Sequence, residues 1–130
     1  PQDHKEAARW YKRAAEKGNA NGQNNLGHIY NYGRGVPQDF KEAIKWYRLA
    51  AEQGHARSQF NLGAMYSNGN GVLQDNVKAH MWFNIAAANG HSNGAEKRTL
   101  IAGFMTTADI SKAQNLAREC MDSGYKNCGW

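Results

Sequence analysis

A chain of 130 residues with 41% hydrophobic and 11% aromatic side chains holds one domain's worth of core, and no apolar run approaches membrane-spanning length. Its 16 basic and 11 acidic side chains leave a formal charge of +5 at pH 7. That is mildly basic, and short of the long basic track with stacking aromatics that nucleic-acid binding asks for.

The chain opens at Pro1 with neither Met nor a signal-peptide pattern, so it reads as a processed or trimmed piece that could have lost a secretion signal. The first predicted element is a helix from about Asp3 to Lys17. Its block Pro1-Gln2-Asp3, Lys5-Glu6-Ala7, Trp10-Tyr11, Ala14-Ala15-Glu16 and Gly18 returns as Pro37-Gln38-Asp39, Lys41-Glu42-Ala43, Trp46-Tyr47, Ala50-Ala51-Glu52 and Gly54. Gln74-Asp75, Ala79, Trp82-Phe83, Ala86-Ala87 and Gly90 carry it a third time, at an offset of 36 in each case (37 − 1 and 75 − 39). Between these blocks Asn25-Leu26-Gly27, Tyr30, Gly33 and Gly35-Val36 match Asn61-Leu62-Gly63, Tyr66, Gly69 and Gly71-Val72. A fixed period of this length means stacked supersecondary units. A surface that holds a partner is then the default function, and a catalytic pocket the minority case.

Each repeat reads as two helices. Asp39 is an N-cap whose carboxylate can accept first-turn amides, and Glu42 holds the reciprocal position of a capping box. Ala43, Trp46, Tyr47, Ala50 and Ala51 follow 3- and 4-residue spacing, and Gly54 ends the helix in a left-handed conformation. A second helix runs from about Ala56 to about Asn68, with Gln59, Leu62, Gly63 and Tyr66 on one side. Gly63 costs about 1 kcal/mol there relative to Ala. Its recurrence as Gly27 predicts a close helix approach, with Ala50-Ala51 and Ala14-Ala15 as the facing half. The Trp-Tyr pairs should fill space between units.

The third unit begins at Ser92 but has Arg98-Thr99 in place of Leu-Gly. The last helix aligns at an offset of 70, which pairs Asp109, Ala113, Leu116 and Gly124 with Asp39, Ala43, Trp46 and Gly54. A degenerate final repeat is what a C-terminal cap should look like. The expected division is an unpaired second helix at 1–18, repeats at 19–54 and 55–90, and a cap at 91–130, all within one solenoid. The fold class is all-α, with about seven helices and no strand.

The recurring Leu-Gly-x-x-Tyr-x-x-Gly-x-Gly-Val-x-x-Asp-x-x-x-Ala-x-x-Trp-Tyr-x-x-Ala-Ala-x-x-Gly pattern resembles the Sel-one-like repeat (SLR) family, a relative of the tetratricopeptide repeats. The match covers residues 1 to about 92. The resemblance implies a right-handed α/α superhelix that serves as an adaptor for protein complexes, with no cofactor and no shared catalytic residues.

Cys120 and Cys128 straddle a predicted inter-helix turn, where they are either bridged or two free thiols. Cysteine-rich bacterial members of the family bridge their helix pairs across the same seven-residue gap, so the resemblance implies a disulfide and an oxidising compartment, periplasmic or secreted. Free thiols would leave a cytoplasmic location open. Ser123-Gly124-Tyr125-Lys126 fits the Ser-x-x-Lys pattern of penicillin-recognising enzymes, although no Ser-Asp-Asn or Lys-Thr-Gly follows. Weak β-lactam binding claimed for cysteine-rich relatives keeps β-lactam binding or hydrolysis as the alternative function. Gly33-Arg34-Gly35 and Gly69-Asn70-Gly71 read as turns, because they follow a helix and lack the Lys-Ser/Thr ending of a phosphate loop. His55 and His91 share a loop position just after a helix-ending glycine, which explains them better than a metal does. Lys5, Arg9 and Lys12 recur as Lys41, Lys45 and Arg48, a solvated outer face.

Differences between internal copies point to a partner site. Gln, Leu, Gly and Tyr stay fixed as framework, while Asn24 becomes Phe60, His28 becomes Ala64, Asn31 becomes Ser67 and Tyr32 becomes Asn68. These positions form one stripe on the helix surface. By analogy with tetratricopeptide-like proteins it faces a concave groove, where amides, imidazole and aromatics suit a protein or peptide. The opening helix carries Trp10, Tyr11, Ala14 and Ala15 with no helix before it, so self-association through that face is also expected.

Overall fold

The computed structural model describes residues 3–130, so the Pro1-Gln2 start of the first repeat match lies outside it. The described residues form seven helices and no strand: α1 His4–Glu16, α2 Ala20–Tyr32, α3 Phe40–Ala51, α4 Ala56–Asn68, α5 Asn76–Ala88, α6 Gly94–Ala102 and α7 Thr107–Asp122. Consecutive helices pack on one another from α1 to α6, and α7 packs back on α5.

Local chemistry sets the helix ends. Asp39 Oδ1 accepts the Glu42 amide and Asp75 Oδ1 the Lys78 amide, each at 3.1 Å, as an N-cap should. The reciprocal half of the expected capping box is not made. The Asp39 amide already donates to the Tyr30 carbonyl at 2.9 Å, and Glu42 reaches Lys45 at 3.6 Å instead. The Asp75 amide repeats this bond to the Tyr66 carbonyl at 3.0 Å, so each connecting loop is tied to the helix before it. Gly54, just beyond α3, has φ of 83°, a conformation that L side chains adopt only with strain.

The mid-helix glycines do mark close approaches, but not to the alanine pairs. A Cβ on Gly27 would sit 2.7 Å from the Tyr47 ring of α3, and one on Gly63 would sit 2.7 Å from the Phe83 ring of α5. Ala14 and Ala15 face Gly22 instead, where a Cβ would lie 2.8 Å from Ala14 Cβ. The reason is the antiparallel geometry: the end of α1 meets the start of α2, while the middle of α2 meets the following helix. Trp46 packs with Ala15 and Leu26 of the unit before it. One repeat later Trp82 shares a core cluster with Ala51 and Leu62, the same three positions.

Amide rungs cross the same interfaces. Gln23 Nε2 donates to the Ala15 carbonyl, and Gln53 Nε2 bridges Gln23 Oε1 and the Gly18 carbonyl. Gln59 Nε2 and Asn89 Nδ2 repeat the arrangement on the Ala51 carbonyl and Gln59 Oε1. The fixed glutamines are therefore buried and satisfied, as buried polar groups must be.

The last unit departs from this pattern. Thr99 stands where α2 and α4 have Gly, and its hydroxyl donates to the Ala95 carbonyl. The ring position of Tyr47 and Phe83 is Ala117 on α7, fully buried. Arg98, at the Leu position, donates to Asn84 Oδ1 at 2.6 Å. Cys120 and Cys128 are disulfide-bonded with Cα atoms 4.4 Å apart. The tail they hold folds back over earlier helices. Lys78 Nζ donates to the Gly129 carbonyl, and the Trp130 ring lies 4.9 Å from that of Trp82 and 4.6 Å from the Arg48 guanidinium carbon.

The bridge spans a sequence separation of 8, for which loop-closure entropy gives roughly 2–3 kcal/mol. A Cys120→Ser/Cys128→Ser variant is expected to lose that much in urea unfolding. A loss below about 0.5 kcal/mol would mean that the Trp130 and Lys78 contacts hold the tail alone.

Candidate functional site

The sequence-defined stripe lies along α2 and α4, and two depressions open on it. One, of about 290 Å³, is lined by His28, Asn31, Tyr32, Ala64 and Asn68, with Phe40 and Asn61 beside them. The other, of about 370 Å³, takes Asn24, His28 and Phe60 together with Arg57, Asn61 and His91. His28 and Asn61 border both, so the two are halves of one trough. Seven of the eight expected positions line it, and Ser67 lines neither half.

The lining residues are not equally free. Tyr32 is 57% exposed, with its ring 4.5 Å from that of His28 and 5.7 Å from the Arg34 guanidinium carbon. Asn68 is exposed as well. Asn24 is not: it is buried, and its Oδ1 accepts from Ser58 Oγ at 2.9 Å and from Asn61 Nδ2 at 3.0 Å. The expectation that the whole stripe is released from packing therefore fails at Asn24, because Ser58 and Asn61 of α4, one repeat on, bond to it. Phe60 is half-buried, stacked on His91 at 4.2 Å and tilted against Phe83 at 5.2 Å. Asn31 Oδ1 is buried without a hydrogen-bond partner among the described residues.

Sequence reasoning placed His55 in a loop, and the structure gives it two tasks. It is the N-cap of α4: its Nδ1 accepts the Ser58 amide at 3.3 Å. Its Nε2 lies 2.8 Å from Asn21 Oδ1 in the unit before, which fixes the proton on Nε2. The signal was present, since Asn19, the counterpart one repeat earlier, is a strong N-cap type and caps α2 through the Gly22 amide at 2.8 Å.

Two constellations have the residue types of a nucleophilic site. Ser58 lies 2.9 Å from His55 Nδ1, but it is fully buried and bonded to Asn24, out of reach of a substrate. Ser123 donates to the Cys120 carbonyl at 2.9 Å and accepts the Lys126 and Asn127 amides, so it organises the turn ahead of the disulfide. No group of three or more His, Cys, Asp or Glu suited to a metal occurs among the described residues, and no helix is long and apolar enough to cross a membrane. The outer basic residues pair locally, Lys45 over the Trp46 ring at 5.0 Å and Arg48 with Glu52 at 3.1 Å.

The Sel1 repeat profile matches residues 1–19, 20–55 and 56–91. Among solved structures, a protective antigen present in uropathogenic Escherichia coli strains and displaying an SLR fold superposes with a TM-score of 0.89 at 35% identity, over 94% of this chain and 27% of that one. A Sel1 repeat protein from Oxalobacter formigenes gives 0.74 at 27% identity, over 96% of this chain and 59% of that one. The chain thus spans only part of the length of either. No curated protein matches it.

Four imidazoles are held below their usual range, in each case chiefly by burial. The second cause is Arg34 for His28, Arg57 for His55 and His91, and Arg98 for His80. The folded state thus prefers the neutral form. Its stabilisation is present above the unfolded value near 6.5 and is lost as pH falls through the lower folded values. The thermal midpoint should therefore drop between about pH 7.5 and pH 5.5. His55→Asn, which copies the Asn19 cap, should make the drop smaller. A midpoint unchanged over that range would contradict the assignment.

Proposed function

The chain belongs to the Sel1 repeat family, and on that premise we propose that it is a non-catalytic adaptor that holds a protein or peptide in the trough along α2 and α4, without a cofactor. The observation that carries this reading is the trough itself: exposed Tyr32 and Asn68 stand at its rim with His28 between its halves. Amide side chains there can pair with a partner's backbone, and an exposed aromatic is a common energetic anchor of interfaces. β-Lactam binding or hydrolysis has no comparable support, because the Ser123 hydroxyl is engaged in its own turn.

On the same reading the seven helices act as one solenoid with α6 and α7 as its C-terminal cap, and the disulfide suits a periplasmic or secreted setting. The N-terminal face is the second contact surface. Trp10 is 61% exposed, whereas its repeat equivalents Trp46 and Trp82 are 8% and 1% exposed. A ring in that register is built to lie on the Ala-Leu face of a neighbouring unit.

Tyr32→Ala and Asn68→Ala should each weaken partner binding by more than about 1 kcal/mol, roughly fivefold in Kd, with helix content by circular dichroism unchanged. Phe60→Ala is a poorer probe, since it also removes the stack on His91 and Phe83. Full binding by the Tyr32→Ala/Asn68→Ala double variant would sink the groove reading. For the N-terminal face, sedimentation at micromolar concentration should show self-association that Trp10→Glu abolishes. A clean monomer of the native chain would refute it.

A further inference from the structure

The trough does not stop at α4. The 36-residue register continues into α6, where Ile101 is buried at the position of Ile29 and Met65. Leu100 therefore occupies the position of His28 and Ala64, and Phe104, just past the helix end, that of Tyr32 and Asn68. Both are open to solvent, 58% and 76% exposed. Met105 beside them packs on the buried cluster of Ala79, Phe83 and Ile101, the same cluster that Phe60 and Ala64 of the trough pack on.

Charge is distributed along the same line. Neither half of the trough has an Asp or Glu in its lining, although the chain has 11 of them. Arg57 lines one half, Arg34 stands over Tyr32 at the rim of the other, and Lys97 holds in α6 the position of Asn25 and Asn61. In α6 the position of Asn24 and Phe60 is taken by Glu96, so the register brings a carboxylate in at that end. Between the cations lie amides, among them Asn61 and the exposed Asn68, whose side chains can pair with a peptide backbone.

We infer that the groove partner is an acidic, extended peptide segment, its carboxylates paired with Arg34 and Arg57 and an apolar residue seated on Leu100 and Phe104. This rests on the groove reading above and specifies its ligand class. Two interhelical steps of about 8–10 Å, at about 3.3 Å per extended residue, call for a segment of roughly five or six residues. Charge-assisted pairing with guanidinium groups supplies steering and specificity, and the apolar end sets direction.

The test is a selection of random peptides about six residues long on the immobilised native chain, followed by anisotropy titration of the enriched peptides. The expected result is enrichment of Asp/Glu-rich peptides with one terminal apolar residue. Their binding should fall roughly tenfold on Arg57→Ala, a shift of about 1.4 kcal/mol, and should weaken with added salt. Leu100→Ser/Phe104→Ser should erase the apolar preference and leave the acidic one. Enriched neutral or basic peptides that still depend on Tyr32 would overturn the acidic partner and leave the groove reading standing. No enrichment, or enrichment indifferent to Tyr32→Ala, would overturn both.

Discussion

The absence of two side chains sets the outward face of this solenoid. Gly27 and Gly63 give up about 1 kcal/mol of helix propensity each, and in return α3 and α5 press their Tyr47 and Phe83 rings into the space. That approach fixes the rotation of α2 and α4 about their own axes. Once Gln23, Leu26 and Gly27 point inward, His28 and Tyr32 have nowhere to go but the trough. The last unit shows the same rule reversed. Thr99 replaces the glycine, Ala117 replaces the ring, and α7 takes its main packing from α5. Thr99 is exposed and Ala117 packs with residues of α3, α4 and α5, so the glycine–ring contact is not repeated there.

The amide rungs add specificity that apolar packing lacks. Leu26 and Leu62 would tolerate small slips against a neighbouring aromatic, but Gln23 and Gln59 would not. Each is buried, and each is satisfied only when a carbonyl of the preceding helix and an amide of the following turn both arrive in register. Displacing one would leave several polar atoms unpaired at once. This explains why glutamine, an expensive residue to bury, recurs at a fixed position in both full repeats.

Much of this was legible in the residues. Periodicity and capping chemistry placed α1, α3 and α4 to within a residue or so, because Asp and Gly at helix ends report local backbone needs that neighbours in sequence satisfy. What escaped was whatever depends on a partner outside the same helix, 9 residues away for Asp39 and Tyr30 (39 − 30) and 34 or 37 for the partners of Asn24. Asn24 looked free by its replacement with Phe60, yet Ser58 and Asn61 of α4 claim its oxygen. The capping box looked complete, yet the Tyr30 carbonyl had already taken the Asp39 amide. His55 is the instructive middle case: its cap could have been read from Asn19, but its bond to Asn21 could not. The third segment of the trough was hidden for another reason. Variation between two copies defined the stripe, and the degenerate sequence of α6 drew attention to Arg98-Thr99 rather than to Leu100 and Phe104.

The two ends of the stack are built on different principles. In a repeat protein, stability is close to a sum of unit and nearest-neighbour interface terms. Each interior unit offers an Ala-Leu face to the tryptophan that follows, as Ala15 and Leu26 do for Trp46. At the C-terminal end that logic is closed off. Arg98 spoils the leucine position, and the disulfide turns the tail back so that Trp130 covers Trp82 rather than extending the row. At the N-terminal end nothing comparable is present among the described residues: α1 takes its main packing from α2, and Trp10 is exposed where its repeat equivalents are buried. The stack therefore has a direction. At one end the disulfide-held tail lays Trp130 against Trp82, and at the other Trp10 stays 61% exposed.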